Sequence, residues 1–198
     1  MRRSVLSSVV AVGLLLGACN RGDNPTVATS STIGGSSIGA VTTAPPDTIA
    51  TGARPPITAS AVAERAHLTD VRLGARSGGD RVVFEFDPVV PGYKIDFATR
   101  PITEDGSGEE VAVKGEAVLE VRMENASSAR LDGENVVITY KGPRRIMGQS
   151  TSIVTEAVLV GDFEGVLIWV LGLKSPVDTV TVSALAGPSR LVIDLPAP

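Results

Sequence analysis

The nine residues 165-GVLIWVLGL-173 contain no charged or hydroxyl side chain, and their reading decides the fold. Along a strand, successive side chains point to opposite faces, so a half-buried strand alternates apolar and polar residues. Here Leu167, Trp169 and Leu171 share one face and Ile168 and Val170 the other, and both faces are apolar. A strand of this kind is covered on both sides. It is also far too short to cross a bilayer, which asks for about 20 apolar residues. The stretch reads as a central strand of a folded domain, with Trp169 in its core.

Working outward, 81-RVVFEF-86 alternates strictly, with Val82, Phe84 and Phe86 on one face. Residues 117–123, 179–184 and 191–195 do the same, and weaker strand patterns cover 67–75, 93–97, 111–114, 136–140 and 153–160. Glycine, proline and aspartate turn signals separate them. Apart from a short helical turn expected within 59–66, helical periodicity is lacking. The pattern predicts an all-β fold: a β-sandwich of two mainly antiparallel sheets over residues 61–198. The segments 80-DRVVFEF-86 and 189-SRLVIDL-195 share one polar–Arg–apolar–Val–apolar–acid–apolar pattern. Either two half-buried strands obey the same alternation, or a pseudo-symmetric fold uses one copy in each sheet.

The N-terminus reads differently. Arg2 and Arg3 precede an apolar stretch, 5-VLSSVVAVGLLL-16, about 18 Å long as a helix. That is signal-peptide length, not span length. The sequence 16-LGAC-19 then resembles a bacterial lipobox and holds the chain's one cysteine. Residues 1–18 are read as a lipoprotein signal peptide and Cys19 as the lipidated first residue of the mature chain. Its partner is accordingly a membrane, reached through acyl chains on Cys19. One acyl chain binds marginally, and two or three hold firmly. Residues 19–60, rich in Ser, Thr, Gly, Ala and Pro, bury too little apolar surface to fold and read as a disordered linker. Its reach is about 35 Å.

Composition narrows function further. The net charge is −4, and the longest basic cluster is the pair Arg144–Arg145. Nucleic-acid binding needs cations to displace phosphate counterions, so no nucleic-acid partner is expected. One cysteine and one histidine exclude cysteine-cluster metal sites and intramolecular disulfides. His67 beside Asp70 reads as a surface or capping residue. Glu104, Asp105, Glu109 and Glu110 around a glycine-rich turn read as a solvated hairpin tip, and Asp162 and Glu164 as turn residues. No catalytic residue, metal or cofactor is expected. The candidate ligand-binding residues are Tyr93 and Tyr140, whose rings could stack on sugars, and Arg144 and Arg145, which could contact anionic wall polymer.

Read in order, "HLTDVRLGARSGGDRVVFEFD", "PGYKIDF", "DGSGEEVAVKG", "YKGPRRI", "GDFEGVLIWVLGL" and "PSRLVIDL" resemble the AMIN-like domain of extracytoplasmic bacterial lipoproteins. The likeness spans residues 67–195. It is similar to the AMIN module of N-acetylmuramoyl-alanine amidases. The resemblance implies a two-sheet sandwich on the outer face of the cell membrane that binds peptidoglycan or a wall-associated protein, as a targeting module and not as a hydrolase. It carries no binding residue over to this chain. The alternative is a carrier whose sandwich encloses a lipid or other small apolar ligand.

Overall fold

The computed structural model describes residues 48–49 and 52–197, and among them there is no helix. The expected leader, Cys19 and the linker up to residue 47 lie outside the described residues. Two six-stranded sheets form the framework of the described residues. In spatial order the first holds β1 (Thr48–Ile49), β13 (Thr181–Leu185), β14 (Ser189–Pro196), β4 (Gly79–Asp87), β3 (Ala66–Arg76) and β7 (Ala126–Ser127). The second holds β10 (Arg145–Met147), β11 (Val154–Phe163), β12 (Val166–Leu173), β6 (Ala117–Glu124), β5 (Gly92–Phe97) and β2 (Ile57–Ala59). β8 (Ala129–Asp132) and β9 (Asn135–Ile138) form a separate hairpin. Every pairing is antiparallel except the short β3–β7 contact.

The sheets pack face to face, and the all-β sandwich expected from the alternation is what the chain forms. Val82, Phe84 and Phe86 of β4 and Leu191 and Ile193 of β14 meet Leu119 and Val121 of β6 and Leu167, Trp169 and Leu171 of β12 in one core. Trp169 is fully buried, with its ring edge-on to Phe84 (centroids 5.9 Å apart) and Tyr140 (5.7 Å). The opposite face of β12 is covered as well. Ile168 and Val170 join Val118, Val158, Val160, Ile102 and Val113 in a second apolar cluster on the outer side of the second sheet. Its cover is the segment 98–116, a strap running from the end of β5 to the start of β6.

Three expectations need correction. Residues 111–114 are not a strand; they belong to this strap, and Val113 is buried against β6, β11 and β12. No helical turn forms within 59–66, because residues 57–59 extend to pair with β5. The linker does not reach residue 60, since β1 pairs with β13, Ala53 bridges to Val180 and β2 joins the second sheet. Of the two readings of the similar heptads, two half-buried strands obeying one alternation is the one that holds: β4 and β14 lie side by side in the first sheet. Antiparallel pairing explains the shared pattern, because it sets the arginine of each copy opposite the acid of the other. Arg81 faces Asp194, and Arg190 faces Glu85. The Arg81 guanidinium donates to both Asp194 oxygens, at 2.7 and 2.9 Å.

Candidate functional site

The outer side of the second sheet carries a surface depression. Alternation along β5 sends Tyr93 and Ile95 inward and Lys94 and Asp96 outward; Glu120, opposite Asp96 on β6, points the same way. The strap then rises over this face and turns at residues 104–108. Between the turn and the sheet lies a groove of about 780 Å³, lined by Lys94, Asp96, Phe97, Glu104, Asp105 and Glu120, among others. Phe97 is 37% exposed. A second hollow of about 550 Å³ shares Phe97, Ala98 and Thr99 with the first and continues toward Arg100, Glu116 and Pro176.

The strap is held by arginines. Arg100 donates to the carbonyls of Val113 (2.6 Å) and Gly115 (2.8 Å). Arg144 donates to Glu104 Oε1 at 2.7 Å, which fixes one wall of the groove. Arg145 donates to the Ala112 carbonyl at 2.9 Å and lies 2.7 Å from Oε1 of the fully buried Glu156. The Lys114 N–H donates to the same oxygen at 2.7 Å, while Glu156 Oε2 has no partner. Close approach also requires Gly172: a Cβ there would lie 1.9 Å from the Lys114 carbonyl oxygen. The strap's backbone is fastened once more where the Asp105 N–H donates to the Val160 carbonyl, at 2.8 Å.

Of the residues singled out from sequence, Arg144 and Arg145 therefore border this face as clamps on the strap. Tyr93 and Tyr140 do not offer rings for stacking, since both are buried in the main core. The Tyr140 hydroxyl donates to the Pro143 carbonyl at 2.9 Å. Burial first, and the charge of Asp70 second, push its phenol up to about 12. His67 sits on β3 with Nδ1 3.1 Å from the Ala129 carbonyl oxygen. Asp162 accepts from the Ser128 backbone N–H at 3.0 Å and from its hydroxyl, joining the β11–β12 turn to the start of β8. Among the described residues, no three or more His, Cys, Asp or Glu side chains are placed to hold a metal ion.

The groove residues that sequence reading missed are Asp96, Phe97 and Glu120. The outward phase of Lys94 and Asp96 was available from alternation. The exposure of Phe97 was not, because it depends on where the strap leaves the sheet.

What the groove can do follows from its groups. Carboxylates at Asp105 and Glu120 accept hydrogen bonds or pair with amines, Lys94 and Asp96 pair with each other at 3.2 Å, and Phe97 offers an apolar surface beside them. No curated protein and no solved structure matches the chain. A family model, described as the AMIN-like domain, matches residues 66–197, from the first residue of β3 to just beyond β14. The match takes in nearly all of both sheets together with the strap and its groove, and so the chain belongs to the AMIN-like domain family.

Proposed function

We propose that this protein is a membrane-anchored extracytoplasmic lipoprotein, held by acyl chains on Cys19, whose domain binds peptidoglycan in the groove beside the strap. AMIN-like domains are binding modules associated with peptidoglycan and typically lack catalysis. The observation that carries the reading here is the groove itself. It places an exposed aromatic ring among carboxylates and a lysine, and a ring face with hydrogen-bonding groups around it suits sugars and their attached peptides. A lipid carrier would need an open interior, and Trp169, Phe84, Leu119 and Ile193, all fully buried, occupy that space.

Co-sedimentation of the whole chain, carrying Cys19→Ala to keep it soluble, with isolated peptidoglycan sacculi tests the binding. Retention above that of an unrelated acidic protein is expected, and Phe97→Ala or Glu120→Gln should reduce it several-fold without lowering thermal stability. No retention at either low or moderate salt would remove the proposal. A fragment beginning at residue 61 is unsuitable because it lacks β2. Fractionation of cells tests the anchor: Cys19→Ala should leave the membrane fraction, and persistent membrane association would refute lipidation at Cys19.

A further inference from the structure

Among the described residues, β3 has an open side. One flank pairs with β4 along its length, but the other meets β7 only at Ala66 and His67. The two-residue turn Ser77–Gly78 makes Arg76 and Gly79 a hydrogen-bonded pair, which sets the alternation along the strand. Residues 72, 74 and 76 then bond to β4, and Val71, Leu73 and Ala75 turn their N–H and C=O groups outward. The Val71 N–H accordingly donates to the side chain of the preceding Asp70, at 2.9 Å. Among the described residues, no strand takes up the outward groups of Leu73 and Ala75.

A hollow of about 390 Å³ lies on the outer face of β3 and β4 beside this edge, and its charged lining consists of Arg72, Arg76 and Arg81. Gly74 stands between them, where a Cβ would meet nothing within 4 Å. Arg72 is paired with Asp70 and, at 2.7 Å, with Glu85. Arg76 (2.5 Å) and Arg81 (2.7 Å) share the single carboxylate of Asp194. That carboxylate is 15% exposed against 43% and 45% for the two arginines, so the outward aspect at this end is cationic.

We propose that this edge of β3 docks an extended strand of a partner protein bearing acidic side chains at alternate positions. Backbone groups of Leu73 and Ala75 would extend the sheet by one strand, and the partner's carboxylates would meet Arg72 and Arg76 across the hollow. Charge selects this occupant over two others. A second copy pairing antiparallel about Gly74 would set Arg72 of each chain opposite Arg76 of the other, which repels. The chain's own first 47 residues contain only two acids, Asp23 and Asp47, too far apart to meet the two arginines together.

The test uses the whole chain with Cys19→Ala and a fluorescent nine-residue peptide of alternating threonine and glutamate, followed by anisotropy. A peptide with lysine in place of glutamate is the comparison. Ala75→Pro deletes an outward N–H that bonds no strand, a place where edge strands tolerate proline. Arg76→Glu reverses one charge. The glutamate peptide should bind at least about tenfold more tightly than the lysine peptide, and each variant should weaken it about tenfold. Hydrogen exchange at Leu73 and Ala75 should slow in the complex. Equal binding of both peptides, no binding at about 1 mM peptide, or exchange at these amides unchanged by bound peptide would overturn the proposal. So would self-association of the chain through this edge. Should Ala75→Pro melt early, Arg76→Glu and the exchange measurement decide.

Discussion

Replacing Asp80 should destabilise this domain more than almost any other exchange of one polar side chain. Asp80 ends the inward-facing series of β4 that continues through Val82, Phe84 and Phe86, and it is fully buried. Its Oδ1 accepts from the Ser152 N–H (2.9 Å) and hydroxyl (3.2 Å), and its Oδ2 from the N–H groups of Ile153 (2.5 Å) and Val154 (2.8 Å). One carboxylate of the first sheet thus holds the segment that enters β11 of the second. Asp80→Ala leaves the Ile153 and Val154 donors buried without an acceptor, at about 1–3 kcal/mol each. Ser152 is partly exposed, so water can replace its lost bond. Removing a buried charge also returns some desolvation energy. The net loss should be about 3 kcal/mol, with Asp80→Asn intermediate because one oxygen remains. Burial works to raise the Asp80 pKa, but the backbone donors of Ser152, Val154 and Ile153 outweigh it and hold the carboxyl below its ordinary value. A folded pKa below the unfolded one gives stability that is present above about pH 4 and is lost as pH falls through the folded value. Asp194, kept low against burial by Arg81 and Arg76, acts in the same direction. Urea unfolding of wild type and both variants at neutral and acid pH measures this. A loss below about 1 kcal/mol for Asp80→Ala, or a gap between wild type and Asp80→Asn that widens on acidification, would refute the reasoning.

Gly172→Ala should push the strap off β12, since the new Cβ would lie 1.9 Å from the Lys114 carbonyl and 2.6 Å from Thr155 Oγ1. Urea unfolding should show a loss of about 1–3 kcal/mol, with weaker sacculus retention. Trp169→Phe leaves a cavity but also removes an indole N–H that has no acceptor. Its cost should therefore be about 1–2 kcal/mol, against about 3–5 for Trp169→Ala, read from paired unfolding curves. Burial raises the phenol pKa of both Tyr93 and Tyr140, the latter to about 12. Because the folded state holds these protons more tightly, stability should fall as pH rises beyond about 10. Ultraviolet titration should show both tyrosines ionising later in the folded chain than in urea.

The sandwich was legible because its signal is local. Strict alternation in β4, β6, β13 and β14 gives the inward set directly, and that set is the main core. The strap was not legible, because its cohesion comes from distant partners. Val113 is buried by β6, β11 and β12, the carbonyls of Ala112, Val113 and Gly115 are taken by Arg145 and Arg100, and that of Lys114 by the Thr155 hydroxyl. Tyr140 was misread for a related reason. An aromatic residue between a glycine turn and a weak strand carries no mark of burial until Trp169 is placed beside it. The alternation that places Val82 and Phe84 inward also places Asp80 there.

The absence of a polar face on β12 still contained the essential hint about the site. Ile168 and Val170 face away from the partner sheet, so something else had to cover them. The covering segment is too irregular to continue a sheet, and its backbone groups need partners that a ladder would have supplied. Arg100 and Arg145 bond those backbone groups, and Arg144 pairs with the Glu104 side chain on the same segment. What remains beside the strap is the uncovered part of the same outer face, with Asp96, Glu120 and Phe97 around it. The groove is thus a consequence of covering an apolar strand with a loop that stops short. Its contents are set by which residues of β5 and β6 the loop leaves exposed.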